Sequence, residues 1–202
     1  MICILGDKTG VPTGVPYLPQ QRHERESSNF GYLDLKKNMR LIDDIPELKD
    51  RLEMRSLVEE LNSENSFFRS VGCDAWDLEN QPRAGEWVSR GYVQVAFEIL
   101  DLNHGQSWDS LFSLINSFDA SLTVSEEIGV DLWRKSVSFR GDAKLRTSAV
   151  IELFGWGRSM SQSRANFQRA AAILQAFFTA ESALCLPRLA KPAARVSDLM
   201  LT

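Results

Sequence analysis

Apolar and polar positions alternate most regularly in two stretches of this chain. In YVQVAFEIL (residues 92–100), Val93, Val95, Phe97 and Ile99 alternate with Gln94, Ala96 and Glu98. In SAVIELF (148–154), Ala149, Ile151 and Leu153 alternate with Val150, Glu152 and Phe154. A period of two is the mark of a strand with unlike faces. Each run holds a single acid, Glu98 or Glu152, and each follows a segment reading Asp-x-Trp. The first of these is CDAWDLE (73–79), with Asp74 and Trp76; the second is VDLWRKS (130–136), with Asp131 and Trp133. Strands are therefore predicted at about 67–77, 91–100, 129–139 and 146–154.

The remaining periodic stretches step by three and four. Trp108, Leu111, Phe112, Ile115 and Phe118 predict an amphipathic helix starting near Ser107, a good N-cap residue. Phe167, Ala170, Ala171, Leu174, Phe177 and Phe178 predict a second, over about 161–183. Leu41, Ile45, Leu48, Leu52, Leu57, Val58 and Leu61 predict an N-terminal helix over 41–62, capped by Asp43 or Asp44, with Pro46 in its first turn. Before it, after a short strand at 2–5, Gly and Pro recur in GDKTGVPTGVPYLPQ and predict irregular chain. After Cys185, Pro187 and Pro192 interrupt a tail that ends on the apolar Leu199, Met200 and Leu201.

Strand, strand and helix occur twice in the same order, at about 66–120 and 129–183. The pattern predicts an α+β fold built from two ββα repeats: a four-stranded antiparallel sheet with two helices on one face. Residues 41–185 would form a single domain, 1–40 an irregular extension and 186–202 a tail. Val93, Val95, Phe97, Ile99, Ala149, Ile151 and Leu153 then face the helices. Asp74, Trp76, Glu98, Asp131, Trp133 and Glu152 fall on the opposite face and are the candidate binding residues. Val137, Phe139, Val150 and Phe154 share that face. It is therefore either an open groove near a pseudo-two-fold axis or a surface covered by the 41–62 helix, its acids paired with neighbours such as Arg134. At fold level, a duplicated sheet with a central acid resembles the GyrI-like effector-binding domains of drug-sensing regulators.

Composition narrows the chemistry. The chain has 202 residues, 44% of them apolar and 25% charged, the make-up of an ordinary globular domain. A net charge of −4 hides an acidic middle (66–139) and a basic end (140–202). That asymmetry suits a charged partner, but the basic residues are too scattered for nucleic acid. No apolar run is long enough to span a bilayer and the start lacks signal-peptide features, so a cytoplasmic location without membrane contact is expected. Cys3, Cys73 and Cys185 have no paired spacing and read as reduced thiols. Two histidines, His23 and His104, exclude a multi-histidine metal centre, and no metal or cofactor is expected. The segment ILGDKTG resembles the phosphorylated loop of P-type ATPases, in which the aspartate would be the nucleophile. The resemblance covers these few residues and stops at GVPTG, so Asp7 is expected in a turn. The loop GWGRSMS before the last helix lacks the lysine and spacing of a P-loop. No motif assigns a catalytic residue. The expected function is a binding module that recognises a protein partner through the sheet face or an acidic edge at 74–86, in a toxin-neutralising (immunity-like) or adaptor role. The alternative is a small-molecule sensor or enzyme using a pocket between Glu98 and Glu152.

Overall fold

The computed structural model describes residues 2–16, 31–80, 86–118 and 126–189. Six strands form one mixed sheet: β1 (Ile2–Asp7), β2 (Thr13–Val15), β3 (Phe68–Asn80), β4 (Glu86–Phe97), β5 (Ile128–Phe139) and β6 (Arg146–Gly157). The order is β1-β5-β6-β4-β3, with β2 also on β5. The four alternating stretches thus lie side by side as antiparallel β5-β6-β4-β3. The expectation of a four-stranded antiparallel sheet is corrected by the N-terminal chain. β1 and β2 both pair with β5 in parallel, one after the other along its free edge. Without them β5 would present a row of unpaired backbone groups. A short apolar run among Gly and Pro carries too little alternation to announce this role.

Three helices, α1 (Leu52–Leu61), α2 (Gly105–Phe118) and α3 (Met160–Leu189), lie on one side of the sheet. Their apolar stripes, including Trp108, Phe112, Phe167, Leu174 and Phe178, bury against Val93, Val95, Phe97, Ile128, Val130, Leu132, Ile151 and Leu153. The helix expected over 41–62 is broken. Residues 39–44 and 46–48 make 3₁₀ turns and only 52–61 is α-helical. Pro46 is the cause, because the residue before a proline is pushed out of the helical region, and Ile45 sits at φ −90° and ψ 104°. α1 packs on α3 and puts Met54, Leu57, Val58 and Leu61 into the same core. It therefore does not cover the other face of the sheet.

One end of that other face is covered by the N-terminal chain instead. Val15 and Tyr32 pack on Val71, Ala96, Val137 and Phe139 as a second, smaller cluster. On the helix side α3 comes close because the strands beneath it carry glycine. A Cβ on Gly91 would lie 2.8 Å from Asp74 O and 2.9 Å from Phe167 Cζ, and one on Gly157 2.6 Å from Ser163 N. The start of α3 is tied down by a buried node. The Asp77 carboxylate accepts from Arg51 (2.7 Å), Arg164 (2.6 Å) and the Ser89 hydroxyl (2.6 Å). Residues 81–85 of the acidic edge and the apolar end of the tail at 199–201 lie outside the described residues.

Candidate functional site

Cross-strand register arranges the uncovered face in rows. Leu78, Val88 and Trp156 stand side by side on β3, β4 and β6. The next row is Trp76, Arg90 and Phe154, ending at Gly129 on β5. The one after is Asp74, Tyr92, Glu152 and Asp131, with Cys3 beyond it on β1. Trp133 and Val150 follow, and then the region covered by Val15 and Tyr32 begins. An aromatic end thus grades through a row of carboxylates into covered sheet. Trp76 and Trp133 hold corresponding places in their hairpins, each two residues beyond an aspartate of the carboxylate row.

The aromatic end is layered. Phe154 and Trp156 stack at 5.4 Å with their planes 10° apart. Trp156 extends over Gly129, where a Cβ would meet the indole at 2.6 Å. The Arg90 guanidinium lies over both Trp76 (5.5 Å) and Phe154 (4.9 Å), a geometry in which the ring faces attract the cation. Trp76, Tyr92, Phe154 and Trp156 are all half-buried, and Leu78 beside them is 48% exposed.

At the centre, Glu152 is only 6% exposed. One carboxylate oxygen accepts from Arg90 at 2.8 Å and the other from the Lys8 ammonium. Lys8 follows β1, and its ammonium also stands 5.5 Å from the Trp133 ring centre. Burial pushes the Glu152 carboxyl up, but the hydrogen bonds from Lys8 and Arg90 outweigh it and leave its pKa below the ordinary glutamate value. Asp131 directly across is served less well. Burial and the Glu152 charge raise its pKa, against the weaker pull of Arg90 and Lys8. Lys135, on the same side of β5, is pushed down by burial and then by Lys8. The Trp133 indole N–H is enclosed without a hydrogen-bond partner among the described residues.

Of the six residues singled out in sequence, Asp74, Trp76, Asp131, Trp133 and Glu152 come together on this surface. Glu98 does not join them. It stands beyond the end of β4, six residues along from Tyr92. At about 3.3 Å per strand residue this is about 20 Å away. There Glu98 is half-exposed and pairs with Arg69 at 2.9 Å. Arg134, an expected partner for the acids, points to the helix side and binds Asp7 (2.8 Å) and Asp109 (3.0 Å). Asp7, the aspartate of the DKTG segment, is not in the expected turn: it is the last residue of β1, paired with Arg134 on β5, and its side chain is largely exposed. Sequence reasoning missed Lys8 and Arg90. Lys8 was hidden in a Gly/Pro-rich stretch, and Arg90 stood just before the stretch taken as strand, although a lone cation between Trp87 and Tyr92 was a usable signal.

Other chemistry is limited. Burial pushes the Cys73 thiol up to about 12, so it is no nucleophile at neutral pH. Among the described residues no group of three or more His, Cys, Asp or Glu side chains is placed to hold a metal ion. No described helix is long and apolar enough to cross a membrane. A groove of about 300 Å³ on the helix side, lined by Leu52, Glu53, Ser56, Gln168, Ala172 and Gln175, carries no converging charges. No family model matches the chain, and neither the curated proteins nor the solved structures include a significant match.

Proposed function

We propose that this chain is a protein-interaction module, in a toxin-neutralising (immunity-like) or adaptor role, and that its partner docks on the uncovered end of the sheet. The observation that carries this reading is the aromatic end itself: Trp76, Leu78, Phe154 and Trp156 around Arg90, with none of the described helices over them. Trp, Tyr and Arg are the residue types enriched where binding energy concentrates. A contiguous patch of this kind on a single domain marks an interaction surface more often than an accident of packing. The rings are held by one another and by Arg90, so little side-chain freedom remains to be lost on binding. The alternative sensor or enzyme asks Glu98 and Glu152 to share a pocket. Their separation of about 20 Å along the strands, and an arginine on each, weigh against it. A duplicated ββα origin for the two hairpins is part of the same reading, supported by the matching places of Trp76 and Trp133.

The test is affinity capture of the tagged protein from its native cell extract, with the eluate weighed under native conditions. A stoichiometric protein partner is expected with the wild type. Leu78→Asp and Trp156→Ala should weaken its capture at least ten-fold while leaving thermal unfolding of the module within a few degrees. Full capture by both variants would overturn the reading. So would a co-purifying small molecule that is lost on Glu152→Gln.

A further inference from the structure

We infer that Trp133, Asp131 and Glu152 form an ammonium-binding subsite, now filled by the chain's own Lys8, in which a lysine side chain of the protein partner takes the place of Lys8. This rests on the reading of the uncovered sheet as the partner surface.

The row of carboxylates is the starting point. Asp74, Glu152 and Asp131 stand in one line across β3, β6 and β5, interrupted only by Tyr92. Like charges directly opposed across a strand pair repel. The pair Asp131 and Glu152 therefore persists through the cations brought to it. Among the described residues Lys8 and Arg90 are such cations, and they are held differently. Arg90 is wedged between the rings of Trp76 and Phe154 and rises from the middle of a central strand. Lys8 comes from outside the antiparallel core, at the end of an edge strand. The two side chains are equally exposed, 38% for Lys8 and 37% for Arg90, so the difference lies in the rings that flank Arg90 and in the place of Lys8 at the sheet edge.

The strand that delivers Lys8 is held by its backbone more than by its side chains. On β1, Ile4 and Leu5 are 50% and 43% exposed, and residues 9–12 after Lys8 are all exposed. Backbone pairing to β5 and the bond from Lys8 N to Arg134 O hold the main chain in place. The ammonium can leave by rotation of its own side chain with that main chain unmoved. It can leave only in exchange, however. A buried carboxylate stripped of one partner is strongly disfavoured, and Glu152 lies 6% exposed opposite another acid. Whatever displaces Lys8 must therefore bring a positive charge of its own.

The aromatic ring selects among cations. Trp133 offers its face to the ammonium at 5.5 Å, the arrangement that rewards a partly desolvated cation over a fully hydrated metal ion. The Trp133 indole N–H is enclosed and has no partner among the described residues, so its resonance reports on the packing of the ring against the bound ammonium and not on solvent. Net charge agrees: a chain of −4 attracts a basic partner at long range.

The experiment needs no partner protein. N-acetyl-lysine methylamide, its norleucine analogue and butylamine are titrated against the wild type and Lys8→Met. The readout is the Trp133 indole N–H resonance, assigned by its absence in Trp133→Phe. Lys8→Met should bind the lysine probe at least ten-fold tighter than the wild type and ignore the norleucine probe. Adding Glu152→Gln to Lys8→Met should abolish the response. If Lys8→Met fails to fold, Lys8→Gln, which keeps a hydrogen-bond donor toward Glu152, replaces it with the same expectations. An unchanged indole resonance, or an equal response to norleucine, overturns the subsite. Tighter binding of butylamine than of the lysine probe overturns the assignment to a protein side chain. Capture through Leu78 and Trp156 stands or falls independently of these outcomes.

Discussion

Asp131 and Glu152 face each other across β5 and β6 with the same two cations near both, and they fare differently. Glu152 takes direct hydrogen bonds from Lys8 and Arg90, which overcome burial and lower its pKa. Its stabilising contribution is present above the ordinary glutamate value and is lost as pH falls through the depressed one. Asp131 has burial and the Glu152 charge against it, and its pKa is raised. A carboxyl raised in this way is neutral at low pH and costs nothing there. The cost appears as pH rises through the ordinary aspartate value, and it is complete once pH exceeds the raised one. Asp131→Asn should therefore stabilise the protein at about pH 7 by about 0.5 kcal/mol, the scale of a like-charge pair across strands. The gain should vanish toward about pH 4, near the ordinary aspartate range. Urea denaturation at the two pH values checks this, and a loss of stability at the higher pH would mean that Lys8 and Arg90 hold Asp131 as firmly as Glu152.

At the scale of elements, the junction of β6 and α3 decides how close the helix lies. Gly155 faces the helix backbone, where an added Cβ would collide with Phe167 N and Ser163 O. The Asn166 amide donates to Trp156 O at 2.7 Å, and the hydroxyls of Ser89 and Ser163 meet at 3.0 Å. Polar groups thus bond across a contact too tight for a side chain. Gly155→Ala should force α3 off the sheet and cost about 2 kcal/mol, in the range of overpacked cores. Chemical denaturation measures it, and a cost below about 0.5 kcal/mol, the scale of neutral surface substitutions, would mean that the helix slides freely. Trp156 on the opposite face is positioned by the same segment, so its ring should shift with the helix.

Over the whole molecule, the N-terminal chain performs three tasks. It extends the sheet along β5, it covers Val71, Ala96, Val137 and Phe139, and it brings Lys8 to Glu152. Removing residues 1–16 should expose that small cluster and leave Glu152 with Arg90 alone. Burial of one large apolar side chain is worth roughly 1.5–3 kcal/mol, and Val15 is one of those lost. The truncated protein should melt well below the full chain and associate through the bared β5 edge, which calorimetry and light scattering would record. An unchanged melting temperature would mean that the antiparallel core is self-sufficient.

Local pattern determined what local physics controls. Period-two alternation located the four antiparallel strands, and three-four spacing located α2 and α3, because amphipathic elements advertise the side they bury. It also placed Asp74, Trp76, Asp131, Trp133 and Glu152 on one face, since parity along a strand is a covalent property. Glu98 shares that parity, yet it stands about 20 Å from Glu152, because parity says nothing about position along a strand. Only the register of β4 against β6, a matter of which residues pair across space, separated them. Tertiary structure likewise decided that Lys8 from one end of the chain meets Glu152 near the other, a contact between residues 144 positions apart. It decided too that the proline-broken segment 39–61 joins the helix layer and leaves the aromatic end bare. A sequence period carries the face of an element, and packing alone chooses what, if anything, is laid upon it.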